Sequence, residues 1–283
     1  MGSVQIITGW RPTPARRHGR SGPICLLFSM ITLTGCGHLA SVAAQVTPSP
    51  YLATPEQLVR AYPAFIDRIE GNALVWKSGT PMVIDDGRGP KPFEVLLDAP
   101  DIKDMFYTPY PLGVATAPGK NIDPGRVRHE AFFNRMYGDC RKGETQANLV
   151  DVVWLPKKWG KSVKVTRVNG VDEALRRVSS ELDALPAQFD AYLFPAAGTF
   201  NCRPIAGTKR QSVHGHGIAI DIALQHAHYW QWTKPAGGAV VWRNKIPLEI
   251  VEVFEKHGFI WGGRWYHYDT MHFEYRPELL PPR

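Results

Sequence analysis

No aspartate or glutamate occurs in the first 44 residues of this 283-residue chain, and that absence explains much of its basic balance. The formal net charge is +7, but the acid-free stretch holds Arg11, Arg16, Arg17 and Arg20; without them 29 basic residues face 26 acidic ones. A chain so close to balance, with no basic stripe interleaved with aromatics, gives no expectation of a nucleic-acid partner. Long apolar runs are also missing: the stretch from Ile24 to Leu33 is too short to span a bilayer. There is no internal repeat and no low-complexity tract. Cysteine is scarce, with four in all. At 44% hydrophobic and 21% charged residues the remainder has the composition of an ordinary globular protein, long enough for a sizeable core.

The acid-free stretch has the make-up of an export signal over residues 1–44: arginines, then the Ile24–Leu33 run, then small residues at Ser41, Ala43 and Ala44. Within it Leu33-Thr34-Gly35-Cys36 resembles the lipobox of bacterial lipoproteins, which implies cleavage before Cys36 and lipidation of that cysteine; cleavage after Ala43 or Ala44 is the alternative. Either way the expected location is exported, in the periplasm or cell envelope, with membrane attachment only through an N-terminal lipid. Cys25 leaves with the leader. Cys140 and Cys202, both in polar loop-like contexts of an exported chain, are expected to form a disulfide.

Residues 45–164 form an N-terminal region of short helices and strands, and residues 165–283 a second domain. Thr54-Pro55-Glu56-Gln57 has the capping-box pattern and predicts a helix running to about Ile69. The short runs ALVWK, PMVID and FEVLL between Ala73 and Phe106 read as strands, and the Pro- and Gly-rich stretch from Tyr107 to Val127 as an extended surface loop. His129-Glu130 opens an H-E-x-x-H pattern, but Phe133 stands where the second histidine is needed. Val150–Leu155 and Ser162–Val168 read as strands. Val171, Leu175, Val178, Leu182 and Leu185 recur at helical spacing. Ala191–Phe194 reads as a short strand, Pro247 starts a helix that stops at Gly258, and FIWGG and MHFEYR close the chain as strands.

The chemistry concentrates in SVHGHGIAID (212–221) and WGGRWYHYDTMHFE (261–274). In the strand-like GIAIDIAL, Ile218, Ile220 and Ile222 point one way and Ala219, Asp221 and Ala223 the other. A carboxylate in so apolar a strand is expensive unless paired or metal-bound. His214, Asp221 and His272 have the ligand chemistry of a catalytic zinc with three protein groups and an open position. Asp269 and Glu274 are both available as the proton acceptor for an attacking water, Glu274 alternatively as a partner orienting an imidazole. His216, His226, His228 and His267 are further histidines without a clear ligand pattern. Arg203 can hold a substrate carboxylate or a developing oxyanion. Five of the nine tryptophans fall between Trp230 and Trp265, most as core and one or two as walls of a cleft.

The pattern S-x-H-x-x-G-x-A-x-D at Ser212, His214, Gly217, Ala219 and Asp221, with D-x-x-H at Asp269 and His272, resembles the zinc D-alanyl-D-alanine carboxypeptidase family. That family includes the vancomycin-resistance peptidases and the phage L-alanyl-D-glutamate endolysins. The resemblance spans about Val165 to Pro277. It implies an α+β fold with a small antiparallel sheet flanked by helices, of the hedgehog/DD-peptidase type, and one Zn2+ held by His214, Asp221 and His272. It further implies Asp269 as catalytic carboxylate, Arg203 as the substrate arginine, Ser212 and Glu274 as supporting residues, and peptidoglycan stem peptides cut next to a D-amino acid. Carboxypeptidase and endopeptidase action both fit. The alternative is a non-catalytic zinc-containing wall-binding or signalling module, as in the hedgehog domains, which the presence of Asp269 argues against. A purely structural metal site is disfavoured, since such sites take four ligands and many thiolates.

Overall fold

The computed structural model describes residues 51–233 and 240–282. The leader, with the Cys36 lipidation site and both alternative cleavage points, lies outside the described residues. Among those described, the strands are β1 (Ile66–Glu70), β2 (Ala73–Trp76), β3 (Pro81–Val83), β4 (Leu149–Trp154), β5 (Lys161–Thr166), β6 (Ala219–Asp221), β7 (Phe259–Trp261) and β8 (His272–Tyr275). The α-helices are α1 (Gln57–Ala61), α2 (Phe93–Asp98), α3 (Glu130–Tyr137), α4 (Val171–Asp183), α5 (Asp190–Leu193), α6 (Trp230–Thr233) and α7 (Leu248–Lys256). The architecture is mixed α+β with three small antiparallel sheets, ordered β1-β2-β3, β4-β5 and β6-β8-β7.

α4 shows how the pattern becomes packing. Val171, Leu175, Val178 and Leu182 are fully buried, while Asp172 and Glu173 sit in the first turn, where negative charge suits the helix dipole. Each such side chain contributes about 1.5–3 kcal/mol on burial. Ser179 ties the helix to the end of β4, its hydroxyl accepting from the Leu155 amide at 2.8 Å and donating to the Val153 carbonyl at 3.1 Å. The β6-β8-β7 sheet lays one face on α7: Phe273 stacks on Phe254 with ring centroids 3.8 Å apart. Because strand side chains alternate, its other face is left to Asp221, His272 and Glu274. One apolar core runs from Leu58 and Tyr62 through Trp154 and Leu175 to Phe273, and a smaller cluster of Tyr110, Ile260, Trp265, Leu279 and Leu280 sits beside it.

Five local expectations are corrected. The first helix ends at Ala61 rather than near Ile69, because Pro63 cannot continue it and the Gly71-Asn72 turn folds the following residues into the β1–β2 hairpin. Its capping box does not form: Glu56 occupies the N-cap position without a side-chain cap bond. FEVLL is helical, since Pro92 precedes it and Glu94 stands in the first turn. The segment expected as a strand over Ala191–Phe194 is instead α5, whose Asp190 carbonyl accepts from the Phe194 amide. The Tyr107–Val127 stretch is irregular as expected but not superficial. Tyr110, Asp123 and Val127 are buried, with the Tyr110 hydroxyl donating to Glu255 at 2.6 Å and accepting from the Trp261 amide at 2.8 Å.

Cys140 and Cys202 form the expected disulfide, closing a sequence separation of 62 residues. It ties the end of the α3 region to the loop that leads into residues 212–221. Loop-closure entropy for a loop of that length is worth up to about 4 kcal/mol. The Cys140→Ser/Cys202→Ser protein is therefore expected to show a clearly lower urea midpoint than the oxidised parent. A difference below about 1 kcal/mol would mean that other contacts already hold the loop in the unfolded chain's place.

Candidate metal centre and cleft

The centre begins with a turn that only glycine can make. Residues Val213–His216 form a single 3-10 turn, and Gly217 leaves it with φ of 69°. A Cβ at Gly217 would lie 2.9 Å from Leu149 Cδ2 and 3.0 Å from the Thr166 amide nitrogen, so the chain passes hard against β5 before entering β6. β6 then pairs with β8 in a register that sets Asp221 directly opposite His272 and Ala219 opposite Glu274. Cross-strand neighbours on one face are close enough to interact, so the register alone brings a carboxylate and an imidazole together. His214 reaches the same point from the preceding turn.

The three side chains converge. His272 Nδ1 lies 3.0 Å from Asp221 Oδ1, His214 Nε2 3.2 Å from His272 Nδ1, and His214 Nε2 3.3 Å from Asp221 Oδ1. A tetrahedral ion with bonds of about 2.0 Å has ligand-to-ligand edges of about 3.3 Å, so this triangle has the size that a zinc ion needs. The outer ring atoms are also fixed. His214 Nδ1–H donates to the Thr199 carbonyl at 2.5 Å, and His272 Nε2–H donates to Glu274 at 3.1 Å. Each bond turns the other ring nitrogen's lone pair toward the centre, the usual arrangement behind a metal-bound histidine. His214, Asp221 and His272 thus form a largely buried group that can hold a metal. Burial disfavours the His272 imidazolium, yet its bonds to Asp221 and Glu274 raise its pKa to about 10. Burial pushes the Asp221 carboxyl up, and the His214 and His272 charges more than reverse this, holding it well below the usual range.

Glu274 is fully buried and engaged on every side: Arg128 pairs with it, Arg276 donates to it at 3.0 Å and His272 at 3.1 Å. Asp269 differs. Its Oδ1 is buried with no hydrogen-bond partner among the described residues, and burial, with a contribution from the Asp221 charge against that of His272, pushes its carboxyl up to about 6. Its backbone is pinned by Gly262, whose carbonyl accepts the Asp269 amide at 3.0 Å. A Cβ at Gly262 would fall 2.6 Å from the Asp269 carbonyl oxygen, which gives the first glycine of WGG its structural reason.

A cleft of about 280 Å³ opens over the group, lined among others by His214, Asp221, His272, Asp269, Ser212 and Trp232. Trp232 and Trp265 are the tryptophans that wall it, and Trp232 is 60% exposed. Ser212 is buried at its base, its amide donating to the Arg203 carbonyl at 3.1 Å. The Arg203 side chain is exposed at the rim and donates to the Pro204 carbonyl at 3.4 Å. His216 lies apart from the centre, against Phe133 and Tyr137, and burial lowers its pKa to about 4. His267 is taken by Asp123 at 2.6 Å and His226 packs on Tyr192. A second acidic cluster, Asp85, Asp86 and Asp101, is occupied by Lys91, Lys103 and backbone amides. Arg126 and Arg128 also line the cleft, and sequence reasoning missed both. Their only signal was an R-V-R triplet at the end of the loop, which nothing in the chain's periodicity links to a site sixty or more residues away.

Residues 206–275 match the family model described as D-alanyl-D-alanine carboxypeptidase. No curated protein matches the chain. The matched segment contains His214, Asp221, Asp269, His272 and Glu274 and leaves out Arg126, Arg128 and Arg203. Over residues 206–275 the chain therefore carries a domain of the D-alanyl-D-alanine carboxypeptidase family.

Proposed function

We propose that this protein is an exported zinc metallopeptidase that hydrolyses peptidoglycan stem peptides next to a D-amino acid, on a fold of the hedgehog/DD-peptidase type. The observation that carries the reading is the pairing of a zinc-sized ligand triangle with a buried, unpartnered carboxyl oxygen in one cleft. His214, Asp221 and His272 would hold the zinc ion, which when bound would supply a Lewis acid for the scissile carbonyl and lower the pKa of water. Asp269 takes the proton from the attacking water and delivers it to the leaving amine, a task suited to a carboxyl whose surroundings raise its pKa toward neutrality. Glu274 holds the His272 ring in the ligating tautomer, and Ser212 supports the floor of the cleft. Arg203, from the rim, holds substrate charge.

The disulfide agrees with an oxidising compartment, and among the described residues no helix is long and apolar enough to cross a membrane. Lipidation at Cys36 would add an anchor to the envelope. Residues 51–164 serve as a scaffold that brings the loop with Arg126 and Arg128 to the cleft. The deciding experiment is digestion of purified peptidoglycan by the mature protein, with released fragments identified by mass spectrometry. Loss of terminal D-alanine or new stem-peptide ends is expected, abolished by a chelator and restored by stoichiometric Zn2+. Absence of cleavage by zinc-loaded protein that still binds the wall would replace the hydrolase with a binding module.

A further inference from the structure

A second cavity of about 220 Å³ adjoins the cleft and shares Arg126, Arg128, Ile205 and Val213 with it. Asp98 at the end of α2 and Glu130 of α3 contribute to its wall, as do Arg210 and Gln211 from the loop that follows the disulfide. Three guanidinium groups meet here, and the chain's own acids do not match them. Arg128 is committed to Glu274. Arg126 donates to the His267 carbonyl at 2.7 Å, and its nearest carboxylate, Asp123, is 3.9 Å away and already held by His267. Arg210 lies 3.2 Å from Asp98, but without hydrogen-bond geometry: its Nε is a buried donor with no partner. The Asp98 side chain is 71% exposed, so water screens the pair. The oxygens of Glu130 are taken by Arg141 at 2.9 Å and the backbone amide of Gln211 at 3.4 Å.

Gln211 adds an independent sign. The residue is 9% exposed, and among the described residues neither the oxygen nor the nitrogen of its side-chain amide has a hydrogen-bond partner. Buried polar groups left unpaired are costly, and a ligand entering the cavity would recover that cost. Burial, together with the charges of Arg126 and Arg128 and against that of Asp98, lowers the Arg210 pKa, as expected for cations crowded without a counter-ion. A planar anion with two acceptor oxygens suits both the guanidinium fork and the amide donor.

We propose that this cavity is a subsite for a carboxylate of the peptide substrate, with Arg126 and Arg210 as its charge partners and Gln211 as a neutral donor. The inference rests on the peptidase reading, because the shared arginines make the cavity an extension of the cleft and its anion part of the same peptide. A stem peptide offers two sources: the terminal α-carboxylate, or a side-chain carboxylate of an internal residue.

Four synthetic peptides separate them: the free acid, its C-terminal amide, the analogue with the internal side-chain carboxylate amidated, and the doubly amidated form. One amidation is expected to lower kcat/KM roughly 10- to 100-fold, the range for losing a charge-assisted hydrogen bond. The position that matters names the source. Arg210→Gln is expected to shrink that acid-to-amide ratio several-fold, and Arg210→Lys to restore part of it. Cleavage of all four at rates within twofold would overturn the subsite and leave the peptidase reading intact. If none is cleaved, calorimetry of the same peptides with the zinc-loaded protein decides. Affinity that depends on one carboxylate and weakens in Arg210→Gln keeps the subsite while removing the peptidase, and equal affinities overturn the subsite.

Discussion

Asp269→Asn is expected to lower kcat on stem peptides by roughly 10²–10⁴-fold, the range for loss of a positioned proton acceptor, while zinc content and melting temperature stay near those of the parent. The substitution is nearly isosteric, and it removes only the ability to hold a proton at Oδ1, the one atom of that carboxyl buried without a partner. Two features of the fold make the outcome specific. The Asp269 backbone is held by Gly262 and by a bridge to Tyr229, so the side chain keeps its place when its charge is removed. The other nearby carboxylate, Glu274, cannot take over, since it is occupied by Arg128, Arg276 and His272. Single-turnover rates measured at saturating substrate, alongside metal analysis, separate this effect from loss of the ion. An unchanged kcat with full zinc occupancy would remove Asp269 from the mechanism.

How much of this was legible in the chain depends on the range of the interaction that fixes each feature. The α4 stripe and the alternation in GIAIDIAL are local patterns that could be read directly, although only Ala219–Asp221 of the latter pairs as a strand. FEVLL and AYLF could not, because an apolar run of four or five residues fits a strand or a buried helical turn equally well, and the flanking prolines decide between them. His214, Asp221 and His272 were named as a set from their residue types and a family pattern, but their meeting is set by the Asp221–His272 register and the Thr199 carbonyl, which no periodicity encodes. Glu274 stood open between two tasks, since alternation places it on the His272 face whichever it performs. Of its partners, Arg276 stands two residues further along the same segment, but Arg128 arrives from the loop before α3. Arg126 and Arg128 were illegible for the same reason: an irregular loop has no period from which direction can be read.

Arg276 is the group whose removal should cost the fold most. It is completely buried, donating to Glu278 at 2.5 Å, to Glu274 at 3.0 Å and to the Gly125 carbonyl at 2.6 Å, with its guanidinium 5.1 Å from the centre of the Phe133 ring. Burial opposes its charge, but Glu278 and Glu274 more than compensate and raise its pKa. Arg276→Met keeps most of the volume and leaves two buried carboxylates short of a cation, one of which also accepts the Tyr62 hydroxyl at 2.6 Å. Breaking such a buried network from one side costs about 3–5 kcal/mol, a large part of the 5–15 kcal/mol that typically holds a domain together. Arg276→Lys restores charge but not the planar fork that reaches both carboxylates, so it is expected to fall between the two. Urea denaturation gives the stability loss. Zinc titration of the still-folded protein then tests the link to the metal centre. Glu274 retains Arg128, so affinity is expected to drop less in Arg276→Met than the roughly 10- to 100-fold expected for Glu274→Gln, which removes the His272 partner itself. If Arg276→Met lost less than about 1 kcal/mol, the two glutamates must be taking up protons when the arginine leaves, and the network would be adaptable rather than fixed.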